Sequence, residues 1–223
     1  MASTQIPELI NITRVAIQET TIHIVGDTPL IVHAWSNKAK AMMLDTQTKA
    51  TKTKDKPKRN PMDDFIQSLY WLTDKPSKST QSAFDTVAET AKWGFPLTAI
   101  KQAANSAAYR LGWVKNQMEL RGSYFLKTEW GDMFEIQGNI PEMREDMVRI
   151  SNGSADLRYR GEFKNWHADI TVQYNASGRL TLEQIVNCID AGGRTCGIGE
   201  WRPEKDGDFG RFHVEMGFVI KGQ

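Results

Sequence analysis

The densest run of chemically capable residues lies near the C-terminus, from Gly192 to Arg211. Gly192-Gly193-Arg194-Thr195-Cys196-Gly197-Ile198-Gly199-Glu200-Trp201-Arg202-Pro203 is followed, after three residues, by Gly207-Asp208-Phe209-Gly210-Arg211. Glycine lets backbone amides approach an anion without a Cβ in the way, and the arginine fork matches phosphate geometry. Trp201 and Phe209 add flat surfaces on which unpaired bases can stack. Together, Arg194, Arg202 and Arg211 with those two aromatics form a candidate nucleic-acid contact. The competing explanation is a glycine-rich hairpin at a sheet edge with solvated arginines. No Gly-Lys-Ser/Thr follows, so this is not a phosphate-binding Walker loop. The glycines also follow a helix pattern and precede a strand pattern, the reverse of a dinucleotide fingerprint.

A second candidate is basic. Between Thr46 and Asn60, Lys49, Lys52, Lys54, Lys56, Lys58 and Arg59 face only Asp55, and no hydrophobic side chain exceeds alanine. Such a segment cannot bury itself, and a mobile loop that closes over a polyanion is the functional expectation; a merely solvated charge run is the alternative. A third cluster, Arg144, Arg149, Arg158 and Arg160 with Tyr159 and Trp166, is diluted by Glu142, Glu145 and Asp146, which favours surface ion pairing. For catalysis, His33, His167 and His213 are candidate acid–base groups, but the sequence identifies no partner for any of them. Cys196 sits beside glycines and arginines without a nucleophile pattern. No catalytic residue, metal ligand or cofactor is assigned: two cysteines and four histidines do not fall at zinc spacing.

The elements that must position these residues can be read from periodicity. Ile12 to Val25 reads as extended, Gly26-Asp27-Thr28-Pro29 breaks it, and Leu30-Ile31-Val32 is a short apolar run. Ser36 can cap a helix to about Leu44, with Ala39, Met42 and Met43 inward. Asn60-Pro61-Met62-Asp63-Asp64 starts another helix, with Asn60 as cap. A helix is predicted from about Thr98 to Leu111, and short strands at Ser123–Lys127 and Met133–Gln137. Pro141 to Asn152 reads as charged and irregular. Trp166, Ala168, Ile170, Val172 and Tyr174 alternate cleanly as a strand. Thr181-Leu182-Glu183-Gln184 is a capping box opening a helix that Gly192-Gly193 should stop. Phe212, Val214, Met216, Phe218 and Ile220 alternate as a last strand.

The order strand, helix, strand, strand, helix, strand implies an α+β fold, a ferredoxin-like or RNA-recognition-like antiparallel sheet with helices. One domain of 223 residues is expected, with residues 46–95 as a candidate insertion that begins with the basic loop at 46–60. With 40% hydrophobic and 25% charged residues the chain can bury a core. A net charge of +1 excludes polyanion binding by bulk charge, so affinity must come from local patches. No run of 18 apolar residues exists, which argues against a membrane helix. The uncharged opening Met1-Ala2-Ser3-Thr4 suggests a cytoplasmic protein, with Cys188 and Cys196 as reduced thiols.

Gly197-Ile198-Gly199, followed by Gly207 and Gly210 between the last helix and last strand, resembles the glycine-rich loop of the RAMP superfamily. Gly26-Asp27-Thr28-Pro29-Leu30 and the basic insertion are similar in position. These are RNA-binding proteins of CRISPR systems, some of which polymerise along guide RNA. The whole chain also looks like proteins of tailed-phage genomes, which would place it in a bacterial host cell. The resemblance implies nucleic-acid contact at Gly197, Gly199, Gly207 and Gly210, and carries over no catalytic histidine. The expectation is a non-enzymatic protein binding single-stranded DNA or RNA, a homo-oligomer assembling along the strand, with no membrane partner. The alternatives are a RAMP-type metal-independent endoribonuclease using His33 or His213, and a protein–protein module such as a virion component or an inhibitor of a host defence complex.

Overall fold

A computed structural model describes residues 15–35, 40–41, 43–44, 47–48, 59–149, 153–215 and 217. The fold is mixed α/β, with antiparallel sheets and five helices described end to end. The strands are β1 (Ile17–Gly26), β2 (Leu30–Val32), β3 (Trp93–Pro96), β4 (Tyr124–Lys127) and β5 (Met133–Ile136). They continue with β6 (Glu142–Arg149), β7 (Ala155–Phe163), β8 (His167–Asn175) and β9 (Phe212–Val214). The helices are α1 (Pro61–Ser68), α2 (Gln81–Ala88), α3 (Leu97–Arg110), α4 (Met118–Arg121) and α5 (Leu182–Thr195).

The main sheet has the order β4-β8-β1-β9. Pairing of β1 with β8 is long, from Ile17 opposite Asn175 to Val25 opposite His167. One face buries Ile22 and Ile24 of β1, Ala168, Ile170, Val172 and Tyr174 of β8, and Phe212 and Val214 of β9. These alternate positions share a face because strand side chains repeat every two residues. Val15 and Ile17 break that phase: both are exposed, at the strand's outer end. The last strand pairs with β1 as its alternation predicts over Phe212 to Val214; Met216, Phe218 and Ile220 lie outside the described residues.

Helices α3 and α5 pack on that buried face and on each other. The capping box at Thr181 forms, with the Thr181 hydroxyl accepting from Gln184 N and the Gln184 side chain accepting from Thr181 N. The helix does not stop at Gly192-Gly193; it runs through both to Thr195. Tertiary contact explains these glycines. A Cβ at Gly192 would lie 2.5 Å from the Ala104 nitrogen of α3, and one at Gly193 would strike the Phe212 carbonyl. The small face of α3, Ala103, Ala104, Ala107 and Ala108, is buried at the same seam.

Two smaller sheets flank this core, β2-β7-β6 and β3-β5. Asn60 caps α1, accepting from Met62 N at 3.0 Å with Pro61 in the first turn. The stretch expected to be irregular, Pro141 to Asn152, contains strand β6, paired with β7 from Glu142 opposite Glu162 to Arg149 opposite Ala155. Its charges hide a strand because they pair along and across the ladder: Arg144 donates to Asp146 on the same strand and to Glu162 on β7, and Arg160 of β7 donates to Asp146. Met43, expected to face the core, is 46% exposed; Ser36, Ala39 and Met42 of that expected helix are outside the described residues.

Candidate nucleic-acid interface

The glycine-rich segment leaves α5 at Cys196 and folds on itself before entering β9. Its glycines are committed to close approaches within the chain. Gly197, Gly199 and Gly210 have φ of +65°, +78° and +66°, a region that favours glycine. A Cβ at Gly199 would lie 2.5 Å from the Ile31 carbonyl of β2; at Gly207 and Gly210 it would strike the carbonyls of Trp201 and Ile198. Many loop amides are also used internally: Gly197 N donates to Gly192 O, Ile198 N to Gly210 O, Glu200 N to Ile31 O and Gly210 N to Pro29 O. The loop is thus a rigid buttress stapled to β2.

Its side chains divide. Arg202 lends Nε and Nη2 to Glu204 and Nη1 to the Gly199 carbonyl. Arg194 pairs with Asp190 on the exposed side of α5. Arg211 Nε is buried without a partner, and the Arg144 guanidinium lies over the Phe209 ring, 4.6 Å from its centroid. Trp201 is 43% exposed and sits at φ +53°, a conformation costing a tryptophan of order 1–3 kcal/mol. Lys52, Lys54, Lys56 and Lys58 lie outside the described residues. Arg59 is described, held by Asp64 and Asp156 over the Tyr159 ring.

Three of the expected residues, Gly197, Gly199 and Arg202, line a cavity of about 250 Å³. The opposite walls come from residues the sequence did not single out: Trp35 beyond β2, Tyr70 after α1, Phe95 of β3, and Ala99, Gln102 and Ala103 of α3. His33, Glu200 and Glu204 complete it. Trp35 is 61% exposed, so its indole is free to offer a face. The expected loop residues Arg194, Trp201, Gly207, Phe209, Gly210 and Arg211 are not on this lining.

Behind the cavity runs a chain of charges. Arg160 of β7 is 2% exposed; its Nη1 meets Asp146 at 3.0 Å and its Nη2 lies 3.6 Å from Glu200. Glu200 in turn stands 4.0 Å from His33 Nδ1. Burial, with the Arg160 charge, holds the His33 imidazole below its ordinary value, while Glu200 opposes. Burial and the Glu200 charge push the Tyr70 hydroxyl up. Glu204 is balanced by Arg202 and by Arg110 at 3.2 Å. The cavity is therefore polar yet close to charge-neutral.

The other histidines lie on the open face of the main sheet, and there they have partners. His23 Nδ1 is 2.7 Å from Asp169, and His213 Nδ1 is 2.6 Å from Asp27. The His167 ring stands 5.2 Å from that of His23. No local spacing could reveal these pairs, since they are made by cross-strand register. No group of metal-ligating side chains occurs among the described residues. Both cysteines are buried free thiols. No described helix is long and apolar enough to cross a membrane. No protein-family model matches the chain, and no curated protein matches it in sequence.

Proposed function

We propose that this protein binds single-stranded nucleic acid at the glycine-rich loop, with one base entering the aromatic cavity beside it. The observation that carries this reading is the cavity itself, walled by Trp35, Tyr70 and Phe95 and closed by Gly197, Gly199 and Arg202. Unpaired bases are recognised by stacking on aromatic faces and by hydrogen bonds along their edges, and this wall supplies both. At about 250 Å³ it is smaller than the 300–1,000 Å³ typical of a drug-sized ligand site, which suits a single ring system. Trp201 supports the reading too: the Phe209 N–H bond to its carbonyl accounts for the turn, but the fold gives no reason for an indole there that is 43% exposed. The basic segment between Thr48 and Arg59 supplies phosphate-pairing charge that the neutral cavity lacks.

The open face of the sheet is a poorer candidate. Glu19, Asp27, Asp169 and Glu215 stand there with Lys127, so a polyanion meets net negative charge at neutral pH. The strand order β4-β8-β1-β9, with α3 and α5 as its crossovers, supports a ferredoxin-like reading of the core and with it the RAMP resemblance. With a net charge of +1, assembly of copies along one strand is how many weak contacts would reach a useful affinity.

Fluorescence anisotropy with a 20-nucleotide single strand, as DNA and as RNA, against the matching duplex tests the reading. Binding to single strands that weakens with salt supports it. Indifference to all of these, or equal binding of the duplex, overturns it. A second reading, metal-independent cleavage of RNA, is favoured by His33 facing Glu200 in the same cavity. Incubating RNA with the protein in chelator, beside a His33→Ala variant, decides that.

A further inference from the structure

The cavity carries a chemical preference that can be read from its polar edge. Glu200 is the carboxylate on this lining whose oxygens are unsaturated. Its ion-pair partners among the described residues, Arg160 Nη2 at 3.6 Å and His33 Nδ1 at 4.0 Å, both lie beyond hydrogen-bond length. The buried Arg160 supplies a counter-charge behind the carboxylate, while the bond from Glu200 N to Ile31 O at 2.9 Å fixes the backbone from which it projects. Glu204, by contrast, already receives Arg202 and Arg110.

A carboxylate on a fixed backbone with both oxygens free of hydrogen bonds, sharing its lining with Trp35, Tyr70 and Phe95, selects a planar ligand with two adjacent donors. Among the common bases only guanine has this edge, in N1–H and the N2 amino group. Adenine and cytosine place an acceptor beside their donor, and thymine and uracil flank a single N–H with two carbonyls, which a carboxylate repels. A cationic ligand is disfavoured because Arg160, Arg202 and Arg110 already balance the two glutamates. The exposed Gln102 amide and the His33 ring supply donors on the same lining for the remaining acceptors of the purine. Resting on the single-strand reading above, we propose that the cavity is a guanine-selective base pocket with Glu200 as the reading group.

The test compares four undecamers that differ only at the central base, guanine, adenine, cytosine or the flanking pyrimidine, made both as oligothymidylate DNA and as oligouridylate RNA and titrated into the wild-type full chain. A guanine pocket predicts binding of the guanine strand tighter by on the order of tenfold, the worth of one good bidentate pair. Equal affinity for all four overturns the guanine assignment while leaving single-strand binding intact; no binding by any overturns both. Glu200→Gln, whose amide sets one acceptor beside one donor, should bring the guanine strand to within about twofold of the all-pyrimidine strand and favour adenine or cytosine instead. A variant that keeps the guanine preference overturns the role of Glu200. The four-strand comparison uses wild-type protein, so it decides the guanine assignment even where the variant fails to fold.

Discussion

The Arg160 guanidinium of β7 and the Glu200 carboxylate of the glycine-rich loop lie 3.6 Å apart, although 40 residues separate them in the chain. Arg160 is 2% exposed, so its charge acts at low dielectric and ties the loop electrostatically to the small sheet. Arg160→Ala should destabilise the fold by about 2–4 kcal/mol, chiefly because it leaves a cavity and takes the Nη1 partner from the mostly buried Asp146, the half-exposed Glu200 adding little. Arg160→Met, which fills the space and leaves Asp146 its Arg144 partner, should cost much less. Denaturant melts of the two variants check this; equal losses would mean that volume is not what matters there.

His33, beside that pair, carries a pH dependence set first by its burial and then by the Arg160 charge. The folded-state pKa of His33 lies below its ordinary 6.5, so the unfolded chain takes up the proton more readily. The stability this contributes is full above about 6.5 and is lost as pH falls through the folded value. Melts from pH 7.5 to 5 should show a shallower fall for His33→Gln than for wild type. Arg160→Met should move the His33 titration upward in an NMR pH series, since the repelling charge is gone. An unmoved titration would remove Arg160 as a cause.

Gly192→Ala separates two roles for the glycine pair. If Gly192 merely punctuated the helix, alanine would stabilise by up to about 1 kcal/mol through propensity. The 2.5 Å approach to the Ala104 nitrogen predicts the opposite, a net loss of about 1–3 kcal/mol. Chemical denaturation gives the sign directly.

Trp201→Gly relieves the positive φ and removes only a half-exposed ring, so stability should stay within about 1 kcal/mol of wild type. Affinity for a single strand should fall by about 1–3 kcal/mol if the indole stacks on a base. Arg202→Ala should lose both, since three of its nitrogens hold Glu204 and the Gly199 carbonyl. Unchanged binding by Trp201→Gly would make that tryptophan structural.

Neutralising Lys52, Lys54, Lys56 and Lys58 to glutamine should flatten the salt dependence of binding. Each lost phosphate contact removes roughly 0.7 from the slope of log affinity against log salt on single strands. A slope identical to wild type would exclude the segment from contact.

Much of the frame is legible in the sequence. The capping box at Thr181, the Asn60-Pro61 helix start and the alternation of β8 are local signals, and each sits where its physics places it. The failures have physical causes. Gly192 and Gly193 read as a stop because propensity is local, whereas their purpose is to let α5 approach α3 and β9. Strand β6 is hidden because its arginines and acids pair across the ladder in place of an apolar alternation. At the site, Gly197, Gly199 and Arg202 stand on the cavity as loop chemistry suggested, but Trp35, Tyr70 and Phe95 come from three separate segments. No spacing could have joined them, nor placed Arg160 behind Glu200.

The most direct measurement is ultraviolet crosslinking of a bound single strand, with the modified peptides mapped by mass spectrometry. Crosslinks at Trp35 or Tyr70, joined by Trp201 at the loop, are the predicted result. Crosslinks confined to Phe125, which is 54% exposed on the strand β4 of the main sheet, would place the nucleic acid on the sheet and contradict the cavity as its site.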